Sequence, residues 1–117
     1  MLRASFGVKI YLGLGITDMR KSINGLSILV ERHLDLDPFS GHFFIFCNRR
    51  RTILKILYWD RNGFCVWQKR LEKDYFKWPK TTGDTLMIDE RELMWLMDGL
   101  EMHQKDAHKR LLYSTLY

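Results

Sequence analysis

The spacing of apolar positions changes several times along the chain, and each change marks an element. Residues 8–12, VKIYL, alternate as a short strand does, and the glycines of the following GLG permit a turn. Beyond it Met19, Ile23, Leu26, Leu29, Val30 and His33 recur at steps of three and four, which predicts an amphipathic helix of about four turns. Thr17 or Asp18 is its expected N-cap, and the stretch from Asp35 to Pro38 its expected stop, because a residue before proline disfavours helix. HFFIFC, residues 42–47, has no polar alternation and reads as a strand buried on both faces. ILKILYW (53–59) and FCVWQKRL (64–71) are the next strands, joined through DRNG, whose Asn62-Gly63 pair is a strong hairpin signal. DYFKWP adds a short strand ending at Pro79, and TLMI (85–88) another. Asp89 then caps a helix over ERELMWLMDG that stops at Gly99. The tail, 102–117, is weakly helical.

These elements assemble into an α+β fold: an antiparallel β-meander sheet with one long amphipathic helix packed on it and a shorter C-terminal helical region, all in a single domain, 1–117. With 46% hydrophobic and 14% aromatic residues, 117 residues suffice for one core without a metal or disulfide. Two cysteines, Cys47 and Cys65, are too few for a disulfide framework and read as core residues in a reducing compartment, where a meander can place them side by side. The start, MLRASFGVKIYLGLG, is broken by Lys9 and lacks a continuous apolar run, and no segment approaches a membrane span. A cytoplasmic location without membrane contact is therefore expected.

Charge alters this picture. Residues 49–80 carry ten basic side chains against three acidic ones, a net of +7 in a chain whose total is +5, so the remainder is slightly acidic. Such asymmetry is the footprint of a polyanion binder, or of a protein that meets an acidic partner. Arg49, Arg50 and Arg51 fall at one strand turn, Arg61 at the next, and Lys69, Arg70, Lys73 and Lys77 on the outgoing strand. With strands about 4.8 Å apart, these could line one positive edge, interleaved with Tyr58, Trp59, Trp67, Tyr75, Phe76 and Trp78. Guanidinium groups bind phosphate bidentately and aromatic rings stack on exposed bases, so DNA fits; a solvated rim over an aromatic core fits equally. The length of the DRNG loop decides whether Lys55 shares a face with Lys69 or sits opposite Gln68. A second constellation is TDMRKS, where Arg20 and Lys21 enter the first helical turn against the helix dipole and call for a nearby anion. Asp18 or another carboxylate of the fold is the plain candidate, a phosphate the sharper one.

Catalytic patterns are lacking. None of the fourteen acids is followed two residues later by lysine, as an acid-acid-x-lysine nuclease requires. His103 and His108 are five apart, which puts them on different sides of a helix, and two cysteines make a poor zinc site. GLGITD lacks the glycine and lysine of a phosphate loop. No cofactor or metal is expected.

The stretches GVKIYLGLGITDMRKSINGLSILV, LDPFSGHFFIFCNRRRTILKILYWDRNGFCVWQKRLEKDYFKWP and LMIDERELMWLMDGLE, in that order, closely resemble the TnpB-type accessory protein, product of the second open reading frame, of bacterial insertion-sequence family sixty-six. The resemblance runs from about residue 7 to about residue 101. It implies a non-catalytic transposition accessory protein, encoded beside a DDE-type transposase, which carries the strand-transfer chemistry, and a second small accessory protein. Both are expected partners, together with DNA. Arg20, Lys21, Arg49, Arg50, Lys55, Lys69 and Arg70 occupy motif positions of that family; Arg51 adds charge beyond the pattern, and the chain departs from it after Gly99. Three functions follow in order of weight: DNA binding through the basic meander face, docking on the transposase without nucleic acid, and, by analogy of fold alone, a small ribonuclease.

Overall fold

The computed structural model describes Ala4 and residues 6–103. Five strands and two helices follow in the order β1 (Ile10–Gly13), α1 (Ile23–Arg32), β2 (Phe43–Cys47), β3 (Ile53–Asp60), β4 (Gly63–Arg70), β5 (Thr85–Ile88) and α2 (Glu90–Met97). They form one sheet of order β4-β3-β2-β1-β5. The stretch β2-β3-β4 is the expected antiparallel meander. The sheet as a whole is mixed, however, because β1 runs parallel to β2 and β5 lies antiparallel on the other side of β1. A helix between β1 and β2 brings the chain back to start β2 in the same direction, the usual origin of parallel pairing.

Strand β2 is buried on both faces, as its unbroken apolar run requires. Phe43, Ile45 and Cys47 join Leu54, Ile56, Ile10 and Leu12 in the larger core layer, which α2 closes with Leu93, Leu96 and Met97. On the opposite face Phe44, Phe46 and Leu57 pack with Leu26 and Val30 of α1. Phe76 and Trp78 also enter the larger layer, but from an irregular segment and not from the strand expected at DYFKWP. Pro79 and the left-handed Asp74 (φ 70°) bound that segment, and Phe76 N–H bonds Arg51 O at 2.7 Å without continuing a ladder.

Helix α1 is shorter than its apolar period. It starts at Ile23 after an N-cap, Ser22, whose side chain makes no cap bond, and it ends at the C-cap His33 before the left-handed Asp35. Met19 continues the helical spacing yet lies in the preceding loop, where a Lys21 N–H to Asp18 O turn closes at 3.1 Å. Thus neither Thr17 nor Asp18 caps the helix, and Arg20 and Lys21 stand before its first turn. Helix α2, by contrast, begins where expected: Asp89 accepts from the Glu92 N–H at 2.7 Å while Glu92 accepts from the Asp89 N–H at 3.0 Å, a complete capping box. The helical reading of the 102–117 tail falls almost wholly outside the described residues.

The β3–β4 hairpin turns at Arg61 and Asn62, because Asp60 pairs with Gly63. Arg61 takes the positive φ, 50°, while Gly63 is the first residue of β4, so the Asn-Gly signal located the hairpin one residue too late. With this two-residue loop Lys55 sits opposite Gln68. The two free cysteines are also separated: Cys47 pairs with Leu54 and Cys65 with Tyr58, four residues apart along β3. Among the described residues no helix is long and apolar enough to cross a membrane.

Candidate nucleic-acid interface

The turn from β2 to β3 is built by Asn48. Its side-chain oxygen accepts the N–H groups of Thr52 and Ile53 at 2.9 and 3.1 Å, and its amide donates to Thr52 Oγ1 at 3.1 Å. This ties off the backbone of the turn and leaves Arg49 and Arg50 exposed, with no ion-pair partner among the described residues. Arg51 is different. It adopts a left-handed φ of 60°, donates from Nη1 to Asn48 O at 3.3 Å and holds its guanidinium 5.4 Å from the centroid of the Trp78 ring. Arg51 is therefore the half-buried one of the three arginines, packed as a cover over an aromatic side chain.

The loop before α1 joins the same end of the sheet. Thr17 N–H bonds Cys47 O at 3.0 Å, which sets residues 16–19 against 48–50 and opens a shallow groove lined by Asp18, Arg49 and Arg50. Arg20 curls back on Asp18 through a short ion pair, Nη2 to Oδ2 at 2.6 Å, and through Nε. Its backbone N–H bonds the same carboxylate. The side-chain bond to Arg20 holds the Asp18 carboxyl at a pKa of about 2. Asp18 is thus the anion that TDMRKS called for. Lys21 is exposed beside it.

Two lysines of the expected basic edge point away from it. Lys55 is buried on the α1 face of β3 and donates to Met19 O at 2.9 Å and Lys21 O at 2.8 Å. Lys69, on the other face of the sheet, donates to Met97 O at 2.8 Å and so closes the carbonyl end of α2. Each serves as an internal clamp between sheet and helical layer. Arg70 pairs with Glu72 at 3.0 Å, and Lys77 with Asp74 at 2.9 Å, a bond that lowers the Asp74 pKa and raises that of Lys77. Lys73 is exposed near Arg70 in sequence.

Arg61 does not join the cluster. Successive turns of a meander lie at opposite ends of the sheet, and β3, eight residues long, separates Arg61 from Arg51 by roughly 25 Å. Around that far end Phe39, Trp59 and Phe64 make a cluster with ring centroids 5.0–5.2 Å apart, and Phe39 is 56% exposed. The positive end of the sheet is accordingly Arg49 and Arg50 at the centre, with Lys21, Arg20, Arg70 and Lys73 around them. Among the described residues no group of three or more His, Cys, Asp or Glu side chains could hold a metal ion.

Two features of the site were legible only in part. Asn48 could have been found, since an asparagine at a strand end is a recurrent turn former. The burial of Lys55 could not, because its partners are carbonyls 34 and 36 residues earlier.

Comparison with known proteins agrees with the motif. Two proteins of Sinorhizobium fredii (strain NBRC 101917 / NGR234), the uncharacterized proteins y4hO and y4jC, are each 33% identical to this chain over 101 residues. The aligned region is 86% of this chain and 88% and 86% of theirs. No solved structure matches the chain. The profile of the family described as "IS66 Orf2 like protein" matches residues 8–107, nearly the whole of the described fold, and the chain belongs to that family of insertion-sequence accessory proteins.

Proposed function

We propose that this protein serves transposition by holding DNA, or the transposase–DNA complex, through the basic end of its sheet, without catalysing a step itself. The observation that carries the reading is the Asn48 turn, which projects Arg49 and Arg50 into solvent with no ion-pair partner among the described residues, the nearby Asp18 being engaged by Arg20. The fold spends other cations internally, on Met19, Lys21 and Met97 carbonyls, yet leaves these two facing water. Exposed guanidinium groups on a rigid turn suit phosphate contacts, which position a protein on DNA without reading its sequence. Among the described residues no helix is presented beyond the sheet end as a recognition element, so modest sequence preference is expected.

Salt-titrated binding to duplex DNA tests this. Affinity should fall steeply with salt, and the double variant Arg49→Ala/Arg50→Ala should bind more weakly, with the slope of log affinity against log salt reduced by about 0.9 for each phosphate that is no longer neutralised. Salt-insensitive binding, or full binding by the double variant, would refute it. The transposase and the second small accessory protein of the element are the proposed protein partners. A second reading, docking on the transposase without nucleic acid, draws on the half-open Phe39–Trp59–Phe64 cluster, since exposed aromatics are common interface anchors. Capture of the transposase from nuclease-treated extract, abolished by Phe39→Ala, would favour that reading.

A further inference from the structure

Beside the Asn48 turn lies a feature that the basic end does not explain. An open cavity of about 470 Å³ separates Arg51 and the 75–80 segment from residues 101–103. Its size lies within the roughly 300–1,000 Å³ usual for small-ligand sites. Tyr75, on its wall, is 53% exposed and carries the Lys77 ammonium 3.9 Å from its ring centroid. Trp78 also lines it, beneath the Arg51 guanidinium. The Trp78 Nε1–H is buried with no hydrogen-bond acceptor among the described residues, although a buried indole N–H normally has one. Lys77 is already paired with Asp74, so Arg51 and Lys80 are the cations set against the one carboxylate of the lining, Glu101, and the cavity keeps a slight positive bias that favours an anionic occupant.

An exposed ring, cations beside it and an unsatisfied donor together match one chemistry, an unpaired nucleotide. Its base would stack on Tyr75, its phosphate would meet Arg51 or Lys80, and an acceptor on the base would satisfy the indole N–H. Duplex DNA cannot offer this, because its bases are already paired and stacked. We propose that this cavity takes a nucleotide of single-stranded DNA, which deepens the nucleic-acid reading above and rests on it.

The experiment is a pair of anisotropy titrations of the full chain, one with a short thymidine homopolymer and one with a duplex of equal length. Tyr75→Ala should weaken the single-strand affinity roughly five- to a hundredfold, the range of base–aromatic stacking, and leave duplex affinity unchanged. Tyr75→Phe should retain binding, and Trp78→Phe, which keeps the ring and removes the donor, should weaken the single strand several-fold. Thermal melts followed by circular dichroism verify that each variant is folded. Unchanged single-strand binding in folded Tyr75→Ala, or an equal weakening on both DNAs, overturns the proposal. A wild-type chain that binds duplex but not single strand also overturns it while sparing the basic-end reading. Binding to neither DNA overturns both.

Discussion

Lys55 shows how a charged side chain can be structural. Its ammonium replaces water by two backbone carbonyls of the loop before α1, so the loop is fastened to the middle of the sheet by charge-assisted bonds. Lys55→Met keeps the stem and removes the donors, leaving Met19 O and Lys21 O without that partner. Chemical denaturation should show a loss of roughly 2–3 kcal/mol, the scale of hydrogen bonds to a charged group. Asp18 makes the opposite use of charge, at the surface. Its folded pKa of about 2 lies below the ordinary 3.8, so its contribution to stability is fully present above about 3.8 and is lost as pH falls through about 2. An NMR titration should place the Asp18 carboxyl at about 2, and Arg20→Ala should return it towards 3.8, because the Arg20 side chain is the main cause of the shift. Of the two residues, only Asp18 has a partner close enough in the chain to be guessed.

Elements differ in how far their own residues define them. Helix α2 carries its start signal locally: Asp89 caps it as expected, and the structure adds the reciprocal bond to Glu92 that completes a capping box. Asp89→Ala should cost about 1 kcal/mol by denaturation, the usual cost of losing an N-cap. Helix α1 has the apolar period but no working cap, and the tertiary pull of Lys55 and of the Asp18 turn holds residues 18–21 out of it. Strand β1 depends on close approach: a Cβ added at Gly13 would stand 2.9 Å from the Phe46 ring. Gly13→Ala should destabilise the fold by about 1–3 kcal/mol, through overpacking at a site where Phe46 is fully buried and has little room to move. A thermal melt measures it.

For the whole molecule, topology sorts the charges. A net of +7 in residues 49–80 suggests one long basic edge, yet the meander sends Arg61 to the far end, and the two faces of the sheet absorb Lys55 and Lys69. Arg61→Ala should therefore leave the DNA affinity unchanged where Arg49→Ala/Arg50→Ala reduces it, a contrast read in the same salt titration. Equal effects would mean that bulk charge and not the turn governs binding.

What the sequence by itself determined is local. Alternation and apolar runs specified β2, β3, β4 and β5 within a residue or so, a single aspartate, Asp89, announced the start of α2, and the ordered motifs identified the family. Periodicity records which side of an element faces a core, and that information is carried by residues two to four apart. The parallel pairing of β1 with β2, the entry of Phe76 and Trp78 into the core from an irregular segment, and the division of cations into clamps and solvent-facing groups were decided by the tertiary structure. These depend on which strands become neighbours and on carbonyls up to 36 residues away, and no local pattern encodes that pairing.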